Sequence, residues 1–361
     1  MRDAVRIRLR ADVPVALHLS GGMDSSTLLA VACDAKKTID AYTVRVGEEK
    51  NNEEPYARLV AEMYRDQVEY HVVEPPSDGM LNSIDQYVAL MEMPFHSPNQ
   101  FTSHRIWKRM SDKGLRVVLY GAGGDEVFAG YRGDYFAPYL RLLLRTRQLG
   151  PFCREFLTFI EYMASRHVLN FAYSAAKMIP RIPTPTDSGR ILFVPKSLNP
   201  LQRSNLHFEY RRPPLEFNAR PIANMQEWRM NYWLRIDNQN SLGVPVELRS
   251  PFLDHRLVEF AFRLPETYLI RNGWMKWIVR HAMRNRLPKE VVWRRQKMGF
   301  PFPIRSWLLK HRSSFERHLK GIDCPYVDPK KLFVNYDRLA RRHAEYTWSL
   351  LSILFWWKSI R

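Results

Sequence analysis

Residues 20–26 read Ser-Gly-Gly-Met-Asp-Ser-Ser. They lie between the apolar run Pro14-Val15-Ala16-Leu17-His18-Leu19 and the helix-forming stretch Thr27-Leu28-Leu29-Ala30-Val31-Ala32. A strand that turns through two glycines into a helix aims several backbone N–H groups at one spot. The helix N-terminus adds partial positive charge behind them. Gly21 and Gly22 let the backbone approach an anion without a Cβ in the way. Ser20, Ser25 and Ser26 supply further donors. Asp24 suits such a cradle only if a cation accompanies the anion, and Mg²⁺ on a polyphosphate is the obvious pair. The spacing is not that of the P-loop, G-x-x-x-x-G-K-[ST]. A bare Ser-Gly-Gly also suits a tight turn with a polar helix cap, so this loop alone leaves both readings open.

Three further motifs follow. Residues 117–131 read Val-Val-Leu-Tyr-Gly-Ala-Gly-Gly-Asp-Glu-Val-Phe-Ala-Gly-Tyr. Here an apolar run again enters a glycine-rich turn, now with the adjacent carboxylates Asp125 and Glu126. Asp125 is a candidate to complete a metal site with Asp24; an ordinary strand–helix turn with a capping Asp is the alternative. The third motif is Val246-Glu247-Leu248-Arg249-Ser250-Pro251-Phe252-Leu253-Asp254-His255-Arg256. The fourth runs from Gly273-Trp274-Met275-Lys276 through Leu287-Pro288 to Arg294-Arg295-Gln296-Lys297-Met298-Gly299-Phe300.

Apolar or β-branched runs at 14–19, 40–46, 68–73 and 115–120 alternate with helix-like segments at 24–35, 54–64 and 99–113. That alternation predicts an α/β fold with a parallel sheet covered on both faces. Ligands on such sheets sit beyond the carboxyl ends of the strands, so both glycine-rich turns can reach one crevice. Residues 135–178 look helical. The stretch 179–221 holds eight prolines and is expected to be mostly loop. The expected organisation is an α/β ATP-binding core over 1–140, a helical and Pro-rich insertion over 141–221, and a helical C-terminal part over 222–361.

Bulk properties narrow the classes. The net charge of +18 raises nucleic acid as a partner, but the basic residues are scattered and no recognition-helix or zinc-finger signature accompanies them. Neither a nucleic acid nor a membrane is expected as a partner. Cys33, Cys153 and Cys324 are odd in number and lack a C-x-x-C, which points to a reducing, cytoplasmic setting. The apolar patch from Trp348 to Trp357 falls short of the roughly 20 residues a membrane span needs. It reads as a helix packed on the core.

The first loop resembles the pyrophosphate loop of the ATP pyrophosphatases. The four motifs, in this order and spacing, resemble the synthetase domain of glutamine-dependent asparagine synthetases over nearly the whole chain. The resemblance implies a five-stranded parallel sheet flanked by helices, with a C-terminal helical portion. It implies ATP and Mg²⁺ as cofactors. Ser20, Gly21, Gly22, Asp24, Ser25 and Ser26 would hold the triphosphate, and Asp24 and Asp125 the metal. The segments at His18, Val44 and Tyr120-Gly121 would hold the adenosine. Lys276 would stabilise charge as pyrophosphate leaves; without the resemblance it reads as a solvated helix lysine. Arg249 and Asp254 are expected to tie the third motif to the domain. Arg249 is also a candidate for a substrate carboxylate, and Lys297 for a phosphate contact.

The resemblance further implies a ligase that adenylates a carboxylate and passes it to ammonia or an amine, with aspartate as the default acid. Alternatives are a ring- or amide-forming relative such as a β-lactam synthetase, a lasso-peptide cyclase or a polysaccharide amidotransferase. A tRNA-modifying enzyme and a degenerate ATP-binding scaffold are the rivals from other classes. Two departures weaken aspartate. Ala122 stands where the family usually carries a Glu, and Asn238-Gln239-Asn240-Ser241-Leu242 replaces Asp-Arg-x-Ser-Met. Residue 2 is Arg, not the cysteine nucleophile of a glutaminase domain. Either the chain is a fragment or a separate gene product, served by a separate glutaminase subunit, or it takes free ammonia or an amine on its substrate; a homo-oligomeric enzyme is expected.

Overall fold

The computed structural model describes residues 1–35, 38–45, 52–74, 81–95, 97–164, 217, 229–295 and 302–361. Helix α1 (Arg2–Arg8) leads into β1 (Val15–His18), α2 (Met23–Cys33), β2 (Ile39–Val44), α3 (Glu54–Met63) and β3 (Val68–Val73). Then come α4 (Ile84–Met91), α5 (Asn99–Asp112), β4 (Val117–Leu119), α6 (Gly124–Val127), α7 (Arg132–Arg145) and α8 (Leu149–Ala164). The helices expected at 24–35, 54–64 and 99–113 are thus found within two residues of those bounds.

The sheet is five-stranded and parallel, in the order β3-β2-β1-β4-β5, where β5 is Glu247–Arg249. The fifth strand comes from the third motif, carried to the sheet by α9 (Arg229–Leu242). Chain order moves outward from β1 to β3, then returns to lay β4 on the other side of β1. The crevice therefore opens between the ends of β1 and β4, the switch point where such folds bind ligands. Both glycine-rich turns leave the sheet there.

Alternation along the strands explains the layering. Leu17, Ala41 and Leu119 face one side, packed with Leu28 and Leu29 of α2 and Tyr135 and Phe136 of α7. Ala16, Tyr42 and Val118 face the other side, against Ile106, Trp107 and Met110 of α5. Each buried large apolar side chain contributes about 1.5–3 kcal/mol. Two-sided burial accounts for strands that read as nearly continuous apolar runs.

Beyond β5 lie α10 (His255–Phe262), the hairpin β6 (Ile270–Arg271) and β7 (Trp274–Met275), and α11 (Trp277–Met283). A separate core joins α12 (Ile304–Lys310), α13 (Tyr336–Arg342) and α14 (Ala344–Ser359) to α4. Trp348 is fully buried in it, and its Nε1–H donates to the Phe95 carbonyl at 3.0 Å. The C-terminal Leu/Trp-rich segment is therefore packed core. No helix among the described residues is long and apolar enough to cross a membrane.

Residue 140, the expected edge of the ATP-binding core, lies inside α7, whose buried face belongs to the core of the sheet. The Pro-rich stretch 179–221 lies, but for Phe217, outside the described residues.

Candidate active site

The first loop is a turn held by its own serines. Ser25 Oγ accepts from the Ser20 N–H at 3.1 Å, lies 2.9 Å from Ser20 Oγ and donates to the Gly22 carbonyl at 3.3 Å. Gly21 has φ +72°, and a Cβ there would stand 2.7 Å from the Ala57 nitrogen and the Glu53 carbonyl oxygen of α3. Only glycine fits that turn. Gly22 caps α2 without a side chain, so the first N–H groups of the helix face the crevice. Ser26 Oγ is buried and has no hydrogen-bond partner among the described residues, a spare donor in the same cradle.

The second turn is built against the first. Gly123 adopts φ +87° and leads into α6. A Cβ on Gly121 would stand 3.0 Å from Asp24 Cβ, and one on Gly124 would stand 2.5 Å from the Asp24 carboxylate carbon. A Cβ on Gly130 would overlap both the Asp125 carboxylate and the Lys276 side chain. These glycines clear the space in which the acidic side chains meet.

Lys276 fills that space. Its Nζ donates to Asp24 Oδ1 at 2.6 Å and lies 2.7 Å from Asp125 Oδ1. All three side chains are nearly buried. Burial pushes the lysine pKa down, but Asp125 and Asp24 outweigh it, and the net shift is upward. The ammonium therefore stays charged. Lys276 also adopts φ +55° at the start of α11. A bulky residue held in the left-handed region costs free energy, and such outliers cluster at functional sites.

More positive charge stands behind the triad. Arg280, one turn along α11, is lowered to about 10 by burial and lies in the fields of Asp24, Asp125, Arg294 and Arg132. It remains charged at pH 7. Its Nε–H donates to the Met275 carbonyl at 2.8 Å. Arg294 pairs with Glu53 at 2.6 Å and stacks over Tyr56 at 4.2 Å. Glu126, beside Asp125, is raised by burial and then by its neighbour's charge, against the Tyr131 hydroxyl that donates to it at 2.8 Å. Arg132, Arg280, Arg294 and Gly130 are further residues of the site that the motifs do not single out. The spacing of Arg280 four residues after Lys276 on a helix was the available signal.

The other expected residues divide. Val44 ends β2 and Tyr120 directly follows β4, both buried, and His18 packs edge-on against Trp107 at 5.2 Å. Burial lowers the His18 pKa to about 4. Arg249 is not brought to the triad. Its guanidinium donates to the Arg8 and Arg10 carbonyls at 2.9 and 2.7 Å and pairs with Glu247. It anchors β5 to the chain around α1, as expected, and the structure gives no support to its candidate role at a substrate carboxylate. Asp254 caps α10 and pairs with Arg8 at 2.8 Å and with Arg256 at 3.0 Å. Lys297 lies outside the described residues.

Two carboxylates from two separate turns thus share one cation. Carboxylate oxygens are the donors a hard divalent cation takes, so Asp24 and Asp125 fit as residues that would hold one. With the helix N-terminus and the partly buried arginines, the crevice is equipped for a polyanion.

Known proteins match this chain along its length. It is 27% identical over 337 residues to asparagine synthetase [glutamine-hydrolyzing] 1 of Bacillus subtilis, covering 88% of this chain and 51% of that protein. It is 24% identical to asparagine synthetase [glutamine-hydrolyzing] 3 of the same organism, over 84% of this chain and 47% of that protein. Amidase chyE of Penicillium rubens is 26% identical over 84% of this chain and 52% of its own length. The chain spans about half the length of these relatives. The family profile described as Asparagine synthase matches residues 1–359. With that match running to within two residues of its end, this chain belongs to the asparagine synthase family.

Proposed function

We propose that the chain is an ATP-dependent carbon–nitrogen ligase that activates a carboxylate as an acyl-adenylate, releases pyrophosphate and gives the acyl group to ammonia or an amine. The observation that carries this reading is the Lys276 ammonium held between Asp24 and Asp125 where two glycine-rich turns meet. The backbone of residues 20–22 and the N-terminus of α2 hold the phosphates, with Ser20, Ser25 and Ser26 adding hydroxyls. Asp24 and Asp125 would hold Mg²⁺, which when bound supplies charge neutralisation and orients phosphate oxygens. His18, Val44, Tyr120 and Gly121 wall the adenosine. Lys276, backed by Arg280, places fixed positive charge where negative charge develops as pyrophosphate leaves.

The family match supports aspartate and ammonia as default substrates. Ala122, lacking the Glu usual in the family, favours a second reading in which another carboxylate is the acceptor. The amidase-named fungal relative is consistent with such breadth. A homo-oligomer and a separate glutaminase subunit remain part of the proposal. Phosphorus NMR of a reaction with ATP, Mg²⁺, aspartate and ammonium chloride tests it. AMP and pyrophosphate are expected with the right acid; acid-dependent ADP and phosphate would sink the adenylation chemistry.

A further inference from the structure

Lys276 directly follows β7, and only Asn272 and Gly273 join β7 to β6. Ile270 pairs with Met275 and Arg271 with Trp274, so the connection is a two-residue hairpin. Asn272 has φ +51° and Gly273 has φ +73°. Positive φ at both central residues is what the tightest hairpin turn requires, and Asn-Gly is the pair that adopts it most readily. At Lys276 a third positive φ, +55°, turns the chain into α11. A lysine held in that region persists only where its surroundings over-determine it. Asp24 and Asp125 hold the ammonium end. The backbone end is held at the hairpin.

Glu155 of α8 holds the turn. Its Oε1 accepts from the Asn272 N–H at 2.6 Å and its Oε2 from the Gly273 N–H at 2.7 Å. Glu155 is 3% exposed. Among the described residues no ion pair reaches it, so both its oxygens serve the turn. Successive N–H groups around a left-handed residue form a concavity suited to an anion, and a carboxylate makes the stronger kind of hydrogen bond with them.

The same turn is gripped from two further sides. Arg132 of α7 donates to the Gly273 carbonyl, and its guanidinium lies 4.7 Å from the centre of the Phe136 ring. A Cβ on Gly273 would stand 2.8 Å from Thr158 Oγ1, so α8 lies flush against the hairpin. Phe136 of α7 stacks on Phe159 of α8 at 5.7 Å, which ties the two gripping helices together. From Gly273 the chain needs three residues, roughly 10 Å of extended backbone, to reach Lys276. Near the lysine, Arg280 Nε–H holds the Met275 carbonyl at 2.8 Å. The short strand is thus fixed at both ends.

We propose that Glu155 is a positioning residue for Lys276: by holding the Asn272-Gly273 turn it sets where the ammonium stands relative to Asp24 and Asp125. The catalytic consequence rests on the ligase reading. Under that reading Asp24 and Asp125 also serve Mg²⁺, so the lysine cannot rely on them alone and its backbone anchor carries the placement.

The test compares Glu155→Gln and Glu155→Asp in the full chain. Glutamine keeps the length but turns an N–H donor toward an amide donor, so one of the two bonds is lost. Aspartate keeps the charge and both acceptors but withdraws them by one methylene. The first readout is nitrogen-15 NMR of the lysine ammonium groups without nucleotide, with Lys276→Ala assigning the resonance. The Lys276 resonance should move in both variants, and its protons should exchange faster with water. A resonance at its wild-type position in both variants overturns the proposal. The second readout is pyrophosphate exchange with an acid that supports it. Glu155→Gln should lower the rate about 100-fold, the scale of a misplaced catalytic group, with the KM for ATP within a few-fold, and Glu155→Asp should fall between. In the Lys276→Ala background Glu155→Gln should cost nothing further, because effects exerted through one shared residue do not add. An equal loss in that background would give Glu155 a role independent of the lysine and overturn the proposal. Should the glutamine variant not fold, Glu155→Asp carries both readouts. The ligase reading fails separately, through absence of carboxylate-dependent exchange in the wild type, and the NMR readout then decides the placement by itself.

Discussion

Lys276 carries the most testable residue-scale claim, because its ammonium holds two carboxylates that would otherwise face each other. Removing one partner of a buried ion pair costs about 3–5 kcal/mol. Lys276→Ala should therefore lower the nucleotide-free melting temperature, and millimolar Mg²⁺ should restore more stability than it adds to the wild type. Thermal melts with and without Mg²⁺ decide this; an equal response to the metal would show that the lysine does not hold the cation position. The same variant should lose roughly 10²–10³-fold in adenylation rate, the scale seen for lost preorganised donors. A second residue-scale expectation concerns Asp237, raised by burial to about 7. The unfolded carboxyl loses its proton near pH 4 and the folded one near 7, so between these values the folded state binds more protons and stability falls as pH rises. Asp237→Asn should stabilise the protein above pH 7, on the order of 2 kcal/mol, with the gain vanishing below pH 4. Denaturant melts across pH 4–8, compared with the wild type, check the sign. The raised carboxyl of Asp237 was not legible in the sequence. Its neighbours Tyr87 and Tyr120 come from 150 and 117 positions earlier in the chain, and only the fold brings them together.

At the scale of elements, the two glycine-rich turns form one unit. The sequence revealed each turn from its apolar run and glycines. It did not reveal that Gly121 and Gly124 make room for Asp24, or that Gly130 makes room for Lys276 beside Asp125, because the contacts to Asp24 and Lys276 cross 97–146 positions of chain. Gly130→Ala should keep the fold and cost at least about 100-fold in activity, since a misplacement of about 1 Å in a catalytic group is worth that much. Circular dichroism and a pyrophosphate-release assay together would show it; full activity would mean that the triad tolerates the added Cβ. The fate of Arg249 has the same origin. Sequence placed it in a motif but could not say that its guanidinium would be taken by the carbonyls of Arg8 and Arg10. β5 was also hard to read, because Glu247-Leu248-Arg249 is short and its ends are charged.

The proposed nitrogen source belongs to the scale of the whole molecule. The parallel sheet and both turns could be read from alternating apolar runs and helix-like segments, because buried parallel strands leave that pattern. Charge offered no such guide: the +18 excess is spread over the chain, and the functional part is the few cations around two buried carboxylates. Cys33 is buried, with its thiol pushed up to about 11 chiefly by burial, and Cys324 is buried as well. Neither is disposed as a glutaminase nucleophile, which needs an accessible thiolate. The chain incubated with ATP, Mg²⁺ and glutamine should release no glutamate, and ammonium should support turnover. Steady glutamate release, abolished by mutating Cys153, would reverse this expectation. The central claim is that the crevice adenylates a carboxylate, and ATP–pyrophosphate exchange across a panel of carboxylic acids tests it most directly. The account predicts exchange that requires one acid of the panel and is lost in Asp24→Asn, Asp125→Asn and Lys276→Ala. Exchange that needs no acid, or that survives in Asp125→Asn at limiting Mg²⁺, would contradict it.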